Sequence, residues 1–140
     1  MALLLNQIGP ASIEAIPLTV ARIDLWKRRW RGTASDGSEV AVDLTSPAKH
    51  EEFLWNGDRC FKINQLPETV IVIEMPEKAE LSAKIGWYFG NRHIPVEVRD
   101  DAIIVEDFPT LTESLDRIGI LWIRRQDILN CRPHSADHRH

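Results

Sequence analysis

From Thr69 onward the chain changes period, and that change constrains the fold more than any other feature. "TVIVIEMP" is a β-branched run stopped by Pro76, which reads as a strand. Behind it Leu81, Ile85, Tyr88 and Phe89 fall at i, i+4, i+7 and i+8, an apolar stripe that predicts a helix from about Glu77 to Phe89. Gly90 stands where a helix C-cap belongs, and Asn91 beside it is also able to take left-handed angles. "IPVEV" and "AIIVED" then give two strands separated by the polar "RDD". "TLTE" supplies a capping box, with Thr110 accepting from the amide of Glu113 and Glu113 reaching back to Thr110. Leu111, Leu115 and Ile118 carry the stripe of this second helix, Gly119 ends it, and "ILWIRR" is the last strand. Strand, helix, strand, strand, helix, strand is the split βαβ pattern of a ferredoxin-like domain, expected over residues 71–126.

Ahead of that domain the grammar is one of short strands and sharp turns. Val40, Val42 and Leu44 would share one face, with Glu39, Ala41 and Asp43 on the other. "SDGS" places an Asp-Gly pair and "WNGD" an Asn-Gly pair between apolar runs, both hairpin signals. Residues 1–70 are therefore expected to form a small β-rich domain, which makes the chain α+β overall. The end, residues 127–140 with "RPHSADHRH", is too polar to pack and is expected to be a flexible tail.

The 140 residues suffice for one ordinary domain or two small ones. Two halves would each bury only about 60% of their unfolded surface, so a second copy of the chain is a natural source of added stability. With a net charge of −4 there is no overall basic field to attract nucleic acid or anionic lipid. "LWKRRWR" interleaves aromatic and basic residues, a recipe for stacking on single strands, or else a strand edge with its arginines in water; the acidity of the chain favours the second. Cys60 and Cys131 lie far apart and in no CxxC arrangement, which indicates neither a disulfide framework nor a Cys-rich zinc site. "MALLL" lacks the basic flank and cleavage site of a signal peptide, and no apolar run approaches the roughly 20 residues that span a bilayer. The expectation is a soluble cytoplasmic protein with neither nucleic acid nor membrane as partner.

No GxSxG, P-loop or HExxH occurs, and the adjacent acids Asp100–Asp101 and Glu106–Asp107 would point to opposite strand faces. The chain is not expected to be an enzyme. Its histidines are more informative. His134, His138 and His140 fall in the last seven residues, where they either are solvated or wrap a borderline divalent ion such as nickel, copper or zinc. His93 lies just past a helix end. Alone it makes no metal site and would be a hydrogen-bonded corner, but a two-fold dimer brings two copies of it together.

"FGNRHIPVEV", followed downstream by "TLTESLDRIGI", resembles the core of the UreE urease accessory proteins. "WKRRWRGTASDGSEVAVDL" is similar to that family's N-terminal hairpin and "INQLPETVIVIEMP" to its domain junction, so the likeness covers about residues 18–121. The resemblance implies a nickel metallochaperone, a homodimer joined through ferredoxin-like C-terminal domains, that hands Ni²⁺ to the urease maturation complex with an accessory GTPase as its direct partner. It makes His93, the histidine of GNRH, the interfacial metal ligand, and it makes His134, His138 and His140 further ligands as a class. Some members carry extra histidines where this chain has Phe89, Asp107 and Pro109, so internal auxiliary sites are expected to be absent. Imidazole also serves zinc and copper. The rival from another class is an interaction module, in which the β-rich domain takes up a segment of a maturation partner along a strand edge and metal binding is residual.

Overall fold

The structure, a computed structural model, describes residues 1–134. It is a mixed α+β chain in two compact units, Met1–Leu66 and the residues from Pro67 onward.

The first unit contains β1 (Leu3–Leu5), β2 (Gln7–Gly9), β3 (Ile16–Val20), the single-turn α1 (Arg22–Leu25), β4 (Arg29–Thr33), β5 (Glu39–Asp43), β6 (Phe53–Asn56) and β7 (Arg59–Gln65). They form two sheets, ordered β1-β5-β4 and β2-β6-β7-β3. Val40, Val42 and Leu44 all point inward, as their alternation requires. At the β4–β5 turn Gly37 takes φ 88° and the Ser38 amide donates to the Asp36 carboxylate at 2.9 Å. The β6–β7 turn opens on Gly57 at φ 58°. Two pairings are parallel, β1 with β5 and β3 with β7, and hairpin signals carry no information about such long-range partners. In "LWKRRWR" Trp30 is 7% exposed and Arg29 pairs with Asp43 at 3.1 Å. β4 lies at the edge of its sheet, and Trp26 of the same stretch is 39% exposed.

The second unit runs β8 (Glu68–Glu74), α2 (Ala79–Asn91), β9 (Val96–Val98), β10 (Ala102–Glu106), α3 (Leu111–Arg117) and β11 (Ile123–Asp127). The sheet is antiparallel, ordered β11-β8-β10-β9. β8 and β10 are central and covered on both faces, which accounts for their uninterrupted apolar runs. Ile71, Ile73, Ile103 and Val105 face α2 and α3, where Ile85, Tyr88, Phe89, Leu111 and Leu115 meet them. Val70, Val72, Ala102 and Ile104 face the other way, and Leu129 and Cys131 cover them.

Five local expectations change. Leu81 is exposed, so the stripe of α2 narrows to Ile85, Tyr88 and Phe89. Ile118 is exposed too, because α3 stops at Arg117. Thr110 forms no side-chain cap. Its φ is 78°, whereas a capping hydroxyl needs extended backbone at that residue. The end of the chain is not a free tail from residue 127: Leu129, Cys131 and Pro133 are buried, and their alternation at i, i+2 and i+4 is that of an extended segment lying on a surface. The last strand accordingly begins at Ile123 instead of Ile120, whose amide is taken by the Leu115 carbonyl at 2.9 Å. Among the described residues no helix is long and apolar enough to cross a membrane.

Candidate metal centre

α2 continues through Gly90 and Asn91 and closes three residues later than the expected cap. The His93 amide donates to the Gly90 carbonyl at 3.1 Å and the Ile94 amide to the Phe89 carbonyl at 3.0 Å. This pair of bonds is a Schellman closure, which needs a left-handed residue at its turning point. That residue is His93, at φ 56°. Ile94 then packs with Phe89 against the core, which fixes the exit of the chain. α3 closes in the same way, with the Gly119 amide on Asp116 at 3.1 Å, the Ile120 amide on Leu115 at 2.9 Å and Gly119 at φ 77°. Glycine adopts that conformation at no steric cost, while a residue with a Cβ pays about 1 kcal/mol or more.

The His93 side chain is exposed. Its neighbour Arg92 is occupied, with its guanidinium 4.0 Å from the centre of the Tyr88 ring. Tyr88 and Phe89 meet edge to face at 5.5 Å and root the corner in the core. A rigid corner thus displays one imidazole to solvent.

His134 is the second candidate ligand that can be placed. It is half-buried, its ring stacks on Phe108 at 4.4 Å and 10°, and its amide donates to Glu106 Oε1 at 3.4 Å. The β9–β10 register sets Val105 opposite Val96. Phe108 therefore lies beyond the end of β10 at which β9 begins, the end that His93 leads into. His138 and His140 lie outside the described residues.

The positions without histidine are otherwise engaged. Phe89 is core, Asp107 accepts from Arg124 at 2.9 Å, and Pro109 is exposed. Burial raises the pKa of the Cys60 thiol, which keeps it protonated and a poor ligand. His50, in the first unit, accepts the Gln65 amide at its Nδ1 at 3.0 Å, a structural use of imidazole. Among the described residues no group of three or more His, Cys, Asp or Glu is assembled in a position to hold a metal ion. The stack on Phe108 and the docking of residues 128–134 were not anticipated from the sequence; the alternation of Leu129, Cys131 and Pro133 was the signal available.

Residues 68–140 match the family model of the UreE urease accessory protein, C-terminal domain. Among curated proteins, the urease accessory protein UreE of Lysinibacillus sphaericus (strain C3-41) is 33% identical over 100 residues, covering 69% of this chain and 67% of that protein. The urease accessory protein UreE of Paraburkholderia xenovorans (strain LB400) is 30% identical over 117 residues, 81% of this chain. The matched region is 52% of that relative, so the chain spans about half of its length. A third, from Corynebacterium efficiens, is 27% identical over 128 residues, covering 87% of this chain and 85% of that protein. On the family match and the similarity to the Lysinibacillus protein together, the chain belongs to the UreE urease accessory protein family.

Proposed function

We propose that the chain is a cytoplasmic nickel metallochaperone of urease maturation. Two copies pair through their second units, each a ferredoxin-like domain, and His93 from each supplies a ligand to one shared Ni²⁺. The ion is then passed to the urease maturation complex, with an accessory GTPase as the receiving partner. The observation that carries this reading is His93 itself, an exposed imidazole kept at a left-handed backbone position where glycine would be cheaper. Strain kept at one such position is a pointer to function.

Further support comes from the surface and from coordination chemistry. Leu81, Lys84, Trp87 and Ile118 line an open apolar groove on the second unit, and Trp87 is 70% exposed. Exposed apolar surface of this kind is what a subunit contact covers. The carrier performs binding and release with no bond chemistry, so the chain is not an enzyme. Two imidazoles leave coordination positions of the ion open, and an incoming ligand of the acceptor can enter before the carrier's ligands leave. Imidazole ligates in its neutral form, so binding weakens as acid protonates it.

Titration calorimetry with Ni²⁺ on the wild type and His93→Ala tests the reading. The wild type is expected to bind about one ion per dimer at its tightest site, and the variant to lose that site. An unchanged tight site in His93→Ala would contradict it.

A further inference from the structure

The β11–β8 pairing starts with Ile123 opposite Val72, while β8 runs on to Glu74, so the end of β8 projects past its neighbour. Ile120 and Trp122 pack on the helix-side core, which turns Leu121 between them outward; it is 89% exposed, and Ile123 is 59% exposed. Two grooves open at this notch. One, of about 450 Å³, has Met75 and Leu121 among its lining together with Glu74 and Glu77. The other shares Glu74 and Leu121 with it and adds Ile123, Asp101 and Arg125. The Glu74, Glu77 and Asp101 side chains are exposed and have no hydrogen-bond or ion-pair partner among the described residues. Arg125, the basic residue of the lining, is already paired with Asp127 at 2.9 Å. The notch is therefore apolar in the middle and negative at its rim.

We propose that this notch is a docking site for a partner protein, and that it takes a segment whose aliphatic anchors are set between lysine or arginine residues. The anchors cover Leu121 and Ile123, exposed apolar surface of the kind an interface buries, and the basic residues meet carboxylates that this chain leaves unneutralised. The charge decides against the other occupants. Nucleic acid and anionic lipid present phosphates, which an acidic rim repels. A second copy of the chain, paired about a two-fold axis, sets the same patch against itself, so Glu74, Glu77 and Asp101 would face like charges. Glu74, Glu77 and Leu121 belong to this notch and not to the groove assigned above to subunit pairing, so substitution separates the two surfaces. The docking site does not depend on nickel.

The first test is nuclear magnetic resonance of the full wild-type chain, without metal, titrated with a synthetic leucine–lysine peptide patterned as an amphipathic helix. The amides of Glu74, Glu77, Leu121 and Ile123 are expected to shift together, and the same peptide with glutamate for lysine to leave them in place. Shifts centred on other residues, or equal binding of the glutamate peptide, would overturn the proposal, and neither result needs a variant to fold. Calorimetry with the lysine peptide follows. Leu121→Ser should weaken binding about 10-fold or more, and Glu74→Lys combined with Glu77→Lys about 5- to 30-fold; wild-type affinity in either would overturn it. All three side chains are exposed, so these variants keep the core intact. Sedimentation is expected to show Leu121→Ser still dimeric. Loss of the dimer would give the notch to a second copy, and binding of phosphatidylglycerol vesicles by the wild type but not by Leu121→Ser would give it to a membrane; either result overturns the proposal.

Discussion

His93 and Gly119 hold the same position in the two helices of the second unit. Each donates its amide three residues back, precedes an isoleucine whose amide reaches five residues back, and has positive φ, 56° and 77°. One position carries the residue that this backbone favours and the other carries an imidazole. Replacing His93 by glycine should therefore raise unfolding stability by about 1 kcal/mol while abolishing nickel binding at that corner. Gly119→Ala should lower stability by a similar amount, since a Cβ there meets nothing within 4 Å and the cost is conformational alone. Urea denaturation checks both, and a His93→Gly variant less stable than the wild type would remove the argument from strain.

The docked C-terminal segment makes a second prediction. Leu129 is completely buried, so Leu129→Ala should cost about 2–5 kcal/mol. Chemical denaturation showing no change would return residues 128–134 to a solvated tail.

How far the sequence reaches is clearest at these elements. Period and punctuation disclosed Val40, Val42 and Leu44 as one face, β8 and β10 as strands, and Ile85, Tyr88 and Phe89 on the apolar stripe of α2, because each rests on contacts within a few residues. The parallel partners of β1 and β3 depend on chain closure over long separations and leave no local mark. His93 was legible as a candidate, but its left-handed backbone was not, because Gly90 and Asn91 before it suit that conformation better by residue type. The tertiary packing of Ile94 beside Phe89 moved the closure onward. "LNCRPH" was masked by its polar neighbours although its apolar residues alternate.

Acid should loosen the docked C-terminal segment. Burial works to raise the Asp127 pKa, but hydrogen bonds from Arg99, the Ile128 amide and Arg125 outweigh it and hold the carboxyl below its ordinary value of 3.8. The folded chain thus binds this proton less readily than the unfolded chain, so the group's stabilisation is fully present above about pH 4 and is lost as pH falls through the folded value. Hydrogen bonds to Glu97 and Asp127 raise the Arg99 pKa, so its charge persists across that window. Urea midpoints measured between about pH 2 and 6 should fall less steeply in Asp127→Asn than in the wild type, and parallel curves would exclude this group as a source of acid sensitivity.

Truncation after Cys131 removes His134 together with His138 and His140. Nickel affinity or stoichiometry should drop while sedimentation still shows a dimer. An unchanged isotherm would leave the tail without a part in binding.

Native mass spectrometry of the wild type and His93→Ala, with and without Ni²⁺, tests most directly whether two His93 side chains share one ion. The wild type is expected as a dimer that takes up one nickel first, and His93→Ala as a dimer that does not. A monomer carrying nickel, or a His93→Ala dimer loading as readily as the wild type, would contradict a shared site at that corner.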